Sequence, residues 1–350
     1  MKILTCVCCL ILLTEIGFCG EEKPDKTAWF KGKWGVFFHY LANPASRKDE
    51  GKSAEEWSKQ VDEVDVKGIT KQLKEIGADY LVITIGQGSG HYLAPNKVYD
   101  EITGIKPSKC SKRDLVSDLA DELNPIGIKL LVYTAYDLSW GDIEARKGLK
   151  LISHHNDHLV GLRKTNVPND WKKNREGQIE FMWNVAKINE QWSRQWGKKV
   201  AGWWVDGCYE KEIRFPENEP PNLETLKGAV LAGNPDAIVC FNSGYGVRYY
   251  SKHEDYTAGE SKELSRCPGE WVEKDGHKLR YHALLYLGRT WGQGNPRFSN
   301  NAVAEYAVDI TSKGGFVSFD VPVKKNGLMP EEFLVQLKHI GDSVTGRTSH

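Results

Sequence analysis

Asp206 closes a nearly unbroken apolar run, residues 200–207, which reads Val-Ala-Gly-Trp-Trp-Val-Asp-Gly. A β-branched and aromatic run of that length reads as a buried parallel strand. A carboxylate at its end is either paired structurally or exposed in a cleft that uses its charge, because burying it alone is costly. Other polar and aromatic side chains also stand at or just past the ends of apolar runs: His39, Gln87 and His91, Tyr133 and Asp137, Asn242, Glu260, Trp291 and Asp320. This inventory holds carboxylates, imidazoles and aromatic rings, with no Ser-His-Asp order and no zinc-type helix motif. The simplest chemistry it supports is hydrolysis by paired carboxylates, without metal or cofactor. His154, His155 and His158 include a pair four apart, but no carboxylate or cysteine lies at matching spacing, and a solvated loop explains them.

The elements that must bring these residues together alternate along the chain. Strands are expected at residues 34–40, 79–85, 128–136, 200–206, 237–242 and 316–321, and helices within 64–76, 114–123, 179–196, 223–231 and 302–312. Residues 254–260 read as a short strand or loop, 280–291 as a helix or strand, and 139–177 as a long polar excursion. Strand–helix–strand repetition demands a parallel sheet with helices on its faces. Seven or eight such units favour a single, somewhat irregular (β/α)8 barrel, in which the polar residues at the carboxyl ends of the strands converge. An open doubly wound sheet would advertise an early phosphate-binding glycine loop. Gly86-Gln-Gly-Ser-Gly90 is the only candidate, and Pro95 and Asn96 follow it where a helix should begin.

Lys plus Arg and Asp plus Glu each number 47, so no net field favours nucleic acid or an anionic membrane. Lys2, the apolar residues 3–13 and the small-residue pattern around Gly17 and Cys19 read as a secretory signal, too short to span a bilayer. The expected division is a signal peptide over residues 1–20 and one catalytic domain over 21–350, in a secreted or periplasmic protein. Cys110, Cys208, Cys240 and Cys267 then remain; their spacing suits neither a metal site nor a disulfide scaffold, although one or two bridges have room to form.

Four motifs in order resemble the α-L-fucosidase group, glycoside hydrolase family 29, over residues 34–340. Trp34-Gly-Val-Phe-Phe-His39 resembles its Gly-Ile-Phe-x-His-Trp opening, and residues 129–140 resemble its Lys-x-Gly-x-Tyr-Tyr-Ser...Asp-Trp strand. Trp204-Val-Asp-Gly207 resembles its Trp-Phe-Asp-Gly nucleophile strand, and Ser312-Lys-Gly-Gly315 with Val321, Pro322 and Gly327 resembles its closing segment. The chain departs where the family carries tandem sugar-binding histidines, which correspond here to Gln87 and Gly88. The family's β-sandwich after the barrel has no counterpart, since about ten residues follow Ile340.

The resemblance implies an exo-acting retaining hydrolase of an oligosaccharide or glycoconjugate, with Asp206 as nucleophile and Glu260 as acid/base. Glu270 and Glu273 compete with Glu260 for the acid role. His39, Gln87, His91, Tyr133, Trp204, Arg248 and Trp291 are the expected substrate-binding residues, with Arg248 as a replacement for a family arginine. Two alternatives stand beside this reading: a catalytically inactive glycan-binding barrel, and a glycosidase of the same superfamily acting on a sugar other than fucose.

Overall fold

Six long apolar runs form strands that lie parallel in one curled sheet: β1 (Trp34–Phe38), β2 (Tyr80–Thr84), β3 (Lys129–Ala135), β4 (Gly202–Asp206), β5 (Ile238–Phe241) and β10 (Phe316–Val321). β9 (His282–Tyr286) and the two-residue β6 (Glu260–Ser261) complete it, in the order β5-β4-β3-β2-β1-β10-β9-β6. The computed structural model describes residues 25–44, 48–152, 161, 171–209, 211–246 and 248–346. The expected signal peptide and the group His154, His155 and His158 lie outside them.

Side chains alternate across a strand, and here each parity has its own core. Phe37, Tyr80, Val82, Leu131, Tyr133, Trp204, Ile238, Cys240, Leu284 and Phe316 fill the inside of the curl. Their neighbours Val36, Leu81, Val132, Trp203, Val239, Leu285 and Val317 face outward into the helical layer. The same parity aims Asp206, Asn242 and Asp320 inward at the carboxyl ends of their strands. The outer layer is built from α1 (Ala54–Asp62), α2 (Val66–Ile76), α3 (Lys97–Thr103), α4 (Leu115–Leu123), α5 (Ile143–Leu149), α6 (Trp171–Trp196), α7 (Lys211–Arg214), α8 (Leu223–Leu231), α9 (Asn300–Ser312) and α10 (Glu331–Val344).

Between β5 and β6 the ring is joined by an irregular stretch. The Asp255 backbone N–H donates to Val239 O (2.8 Å), its carboxylate accepts from the Val239 N–H (2.9 Å), and the Thr257 N–H donates to Arg280 O (3.0 Å). The amino end is plugged by Phe30, stacked on Phe316 at 4.1 Å and edge-on to Tyr80 at 4.8 Å.

Several elements differ from the sequence expectation. Of the two alternatives for residues 280–291 the structure takes the strand, β9, because His282–Tyr286 is buried on both faces of the sheet. Just before it, β7 (Trp271–Lys274) and β8 (His277–Arg280) form an antiparallel hairpin. Its Asp275-Gly276 turn has φ of 52° and 75°, the geometry that an Asp-Gly pair favours. The excursion after Ser139 contains α5 and the start of α6. All four described cysteines are unpaired and buried, so the room left for bridges is not used. Cys208 packs in the outer layer and Cys240 inside the curl, on opposite faces of the sheet.

Candidate active site

The carboxyl end of the sheet opens on a small cleft of about 240 Å³, lined by His39, Tyr133, Trp204, Asp206, Glu260, Leu284 and Trp291. Asp206 ends β4, and Gly207 turns the chain away at φ 76°, where an added Cβ would stand 3.0 Å from the Asp137 carboxylate. Asp206 Oδ2 accepts a hydrogen bond from the Tyr133 hydroxyl at 2.6 Å. Oδ1 accepts from Asn242 Nδ2 at 2.8 Å, and the same amide nitrogen donates to Glu260 Oε2 at 2.8 Å. The two carboxylate oxygens are therefore no more than the sum of those contacts apart, about 5.6 Å.

Burial pushes the Asp206 carboxyl above the ordinary carboxylate range, and the negative charge of Asp137 adds to that. Hydrogen bonds from Tyr133, Asn242 and the Gly207 backbone pull the other way. The charge of Asp206, followed by burial, raises the Tyr209 phenol, which stands beside the carboxylates.

The walls are aromatic and fixed. Tyr133 stacks on Trp204 (5.3 Å, 17° between planes), and Phe37 meets Tyr133 edge-on at 5.7 Å. Trp204 Nε1 donates to Ala258 O at 3.0 Å. His39 holds its Nδ1 2.6 Å from Asp320 Oδ1, and Asp320, fully buried, accepts the Gly292 N–H on its other oxygen at 2.6 Å. Trp291 packs against His39 at 5.6 Å and donates from Nε1 to the Tyr245 hydroxyl at 2.8 Å.

Six of the nine expected site residues thus line one cleft: Asp206, Glu260, His39, Tyr133, Trp204 and Trp291. Gln87 lies behind the wall, where its Nε2 donates to the Tyr133 hydroxyl at 2.6 Å. His91 is buried elsewhere in the loop. Its Nε2 meets Lys52 O at 3.0 Å, its ring lies edge-on to Trp57, and burial followed by the charge of Lys109 lowers its pKa. Arg248 is exposed and does not line the cleft. The structure also separates the competing acids. Desolvation raises Glu270, but hydrogen bonds from Arg280 and Lys31 outweigh it and hold the carboxyl low, at the amino end of the barrel beside Gly314. Glu273 sits on the exposed hairpin with Lys278 at 3.7 Å. Tyr245, Leu284 and Tyr209 are the site residues that sequence reasoning missed. Tyr245 and Tyr209 sit on loops with no periodic signal, whereas Leu284 shares the inward parity of β9.

The family model described as alpha-L-fucosidase matches residues 60–346. The chain belongs to the alpha-L-fucosidase family. Among solved structures, the alpha-L-fucosidase-family chain is similar to an endo-fucoidan hydrolase from glycoside hydrolase family 107, with TM-score 0.67 and 15% identity, covering 90% of this chain and 53% of that one. It is also similar to alpha-L-fucosidase isoenzyme 1 from Paenibacillus thiaminolyticus (TM-score 0.59, 17% identity, 90% of this chain and 74% of that one). A third likeness is to a family 29 alpha-L-fucosidase from Bacteroides thetaiotaomicron, trapped as a covalent intermediate (TM-score 0.58, 16% identity, 92% and 74%). The chain spans about half the length of the first of these. At such identities the likeness is one of fold. A comparison with curated protein sequences found no match.

Proposed function

We propose that this protein is a secreted, exo-acting retaining glycoside hydrolase of the α-L-fucosidase kind. The observation that carries the reading is the single buried amide nitrogen of Asn242 shared by Asp206 and Glu260, the two carboxylates that line the cleft. An upper bound of about 5.6 Å between oxygens fits the roughly 5–5.5 Å carboxyl spacing of retaining sites and falls short of the roughly 6.5–9.5 Å that an inverting site needs for its water. Asp206, ionised and held by Tyr133 and Asn242, attacks the anomeric carbon while protonated Glu260 gives its proton to the departing oxygen. Glu260, now ionised, then takes a proton from water as that water displaces Asp206 from the sugar. The reaction requires one carboxyl charged and the other protonated, and the hydrogen bonds that Tyr133 and Asn242 donate to Asp206 favour the charge there. His39, Trp204 and Trp291 present one imidazole and two aromatic rings to the sugar.

Fucose itself is supported by the family, and simple fucosides are expected to be weak substrates because Gln87 and Gly88 stand where the family resemblance places two sugar-binding histidines. The test is hydrolysis of aryl glycosides and natural oligosaccharides by wild type and by Asp206→Asn. Turnover by wild type, lost by roughly three orders of magnitude in a folded Asp206→Asn, supports the reading. Sugar binding without product from the wild type would leave a glycan-binding barrel in its place.

A further inference from the structure

Gln87 contacts the catalytic apparatus through one atom, and the direction of that contact has consequences. The Tyr133 ring cannot turn, since Trp204 stacks on one side of it and Phe37 meets it edge-on. The hydroxyl proton can still rotate, and it meets Asp206 Oδ2 at 2.6 Å and the side chain of residue 87 at 2.6 Å. Gln87 is buried and presents its Nε2, a donor that cannot accept. Its Oε1 has no partner among the described residues. Turning the amide over would set Oε1 against the hydroxyl, draw the proton from Asp206, and leave two oxygens facing each other at 2.6 Å without hydrogen. The orientation with Nε2 toward the hydroxyl is therefore the one that keeps a hydrogen between Tyr133 and Asp206.

We infer that Gln87 is a positioning residue that commits the Tyr133 proton to Asp206, and that it does not bind the sugar. An amide donor holds that direction at every pH, whereas an imidazole would change role as it titrates. The inference rests on the assignment of Asp206 as nucleophile.

The experiment is the pH dependence of kcat/KM, with kcat and KM resolved, for wild type, Gln87→Leu and Gln87→Glu, each checked for folding by circular dichroism. Gln87→Leu removes the donor at similar volume. Gln87→Glu keeps the shape and offers an acceptor that competes for the Tyr133 proton. The expected result is an acid limb moved upward by about one pH unit in Gln87→Glu and by less in Gln87→Leu. That corresponds to a roughly tenfold loss on the acid side, carried by kcat, with KM little changed. A raised KM with an unmoved limb in either folded variant would make Gln87 a sugar ligand and overturn the inference. If the limb fails to move while Asp206→Asn is inactive, only the role of Gln87 falls. A fully active Asp206→Asn, or a wild type without turnover, would overturn the nucleophile assignment and this inference with it.

Discussion

Replacing Asn242 with Ala removes one nitrogen that touches both carboxylates, and the cost can be worked from the geometry. Hydrogen bonds to charged groups contribute roughly 1.5–3 kcal/mol each, or about one to two pKa units per carboxylate. Two unit charges no more than about 5.6 Å apart repel by roughly 3 kcal/mol or more at an effective dielectric of about 20, so the two carboxyls titrate as a coupled pair with or without the amide. Losing a donor raises a carboxyl pKa, so Asp206 needs a higher pH to be ionised and Glu260 stays protonated to a higher pH. Both limbs of the kcat/KM profile therefore move upward, by about one unit or more, as macroscopic values of the pair. The plateau should fall roughly 10- to 100-fold because Asp206 also loses its orientation. Asn242→Asp keeps the acceptor for the Gly244 N–H, 3.1 Å from Oδ1 in the wild type, but sets a third carboxylate between the other two, and should lose more. The assay is a pH series with an activated aryl glycoside, with folding checked by thermal melting. An unmoved profile and a rate within about threefold of wild type in folded Asn242→Ala would refute the reasoning.

Two other predictions test the ends of the barrel separately. Glu260→Gln should lose roughly 10²- to 10⁴-fold on substrates whose leaving group needs a proton and far less on a glycosyl fluoride, with the alkaline limb of the pH profile gone; equal losses on both would remove Glu260 from the acid role. At the opposite end, buried Arg280 donates to Asp25 at 2.6 Å, Glu270 at 2.8 Å, Gly314 O at 3.0 Å and Thr27 at 2.8 Å. Arg280→Met should cost about 1–3 kcal/mol in denaturant unfolding, since it leaves the Gly314 carbonyl and Thr27 without their donor while Asp25 and Glu270 stay partly solvated, with kcat/KM of the folded enzyme near wild type; a cost below about 0.5 kcal/mol would contradict that account.

The sequence by itself determined six of the eight strands of the sheet, their inward faces and the end of the barrel where chemistry would gather. Residues of one parity on an apolar run share a face whatever the rest of the chain does, so Trp204 and Asp206, or Ser318 and Asp320, point the same way by local geometry alone. It also placed His39, Tyr133 and Asp206 at strand ends, where a parallel barrel must bring them together. Which glutamate faces Asp206 was decided only by the tertiary structure. Glu260, Glu270 and Glu273 lie within fourteen residues of one another. The β7–β8 hairpin and Arg280 carry two of them away, whereas the Gly259–Leu284 hydrogen bond (2.9 Å) holds the third at the cleft. The roles of Gln87, His91 and Arg248 were likewise beyond local reading. They sit on loops, whose side-chain directions depend on what packs against them: Tyr133 for Gln87, Lys52 and Trp57 for His91, and solvent for Arg248. Periodicity reports a face only where the backbone repeats, and at these positions it does not.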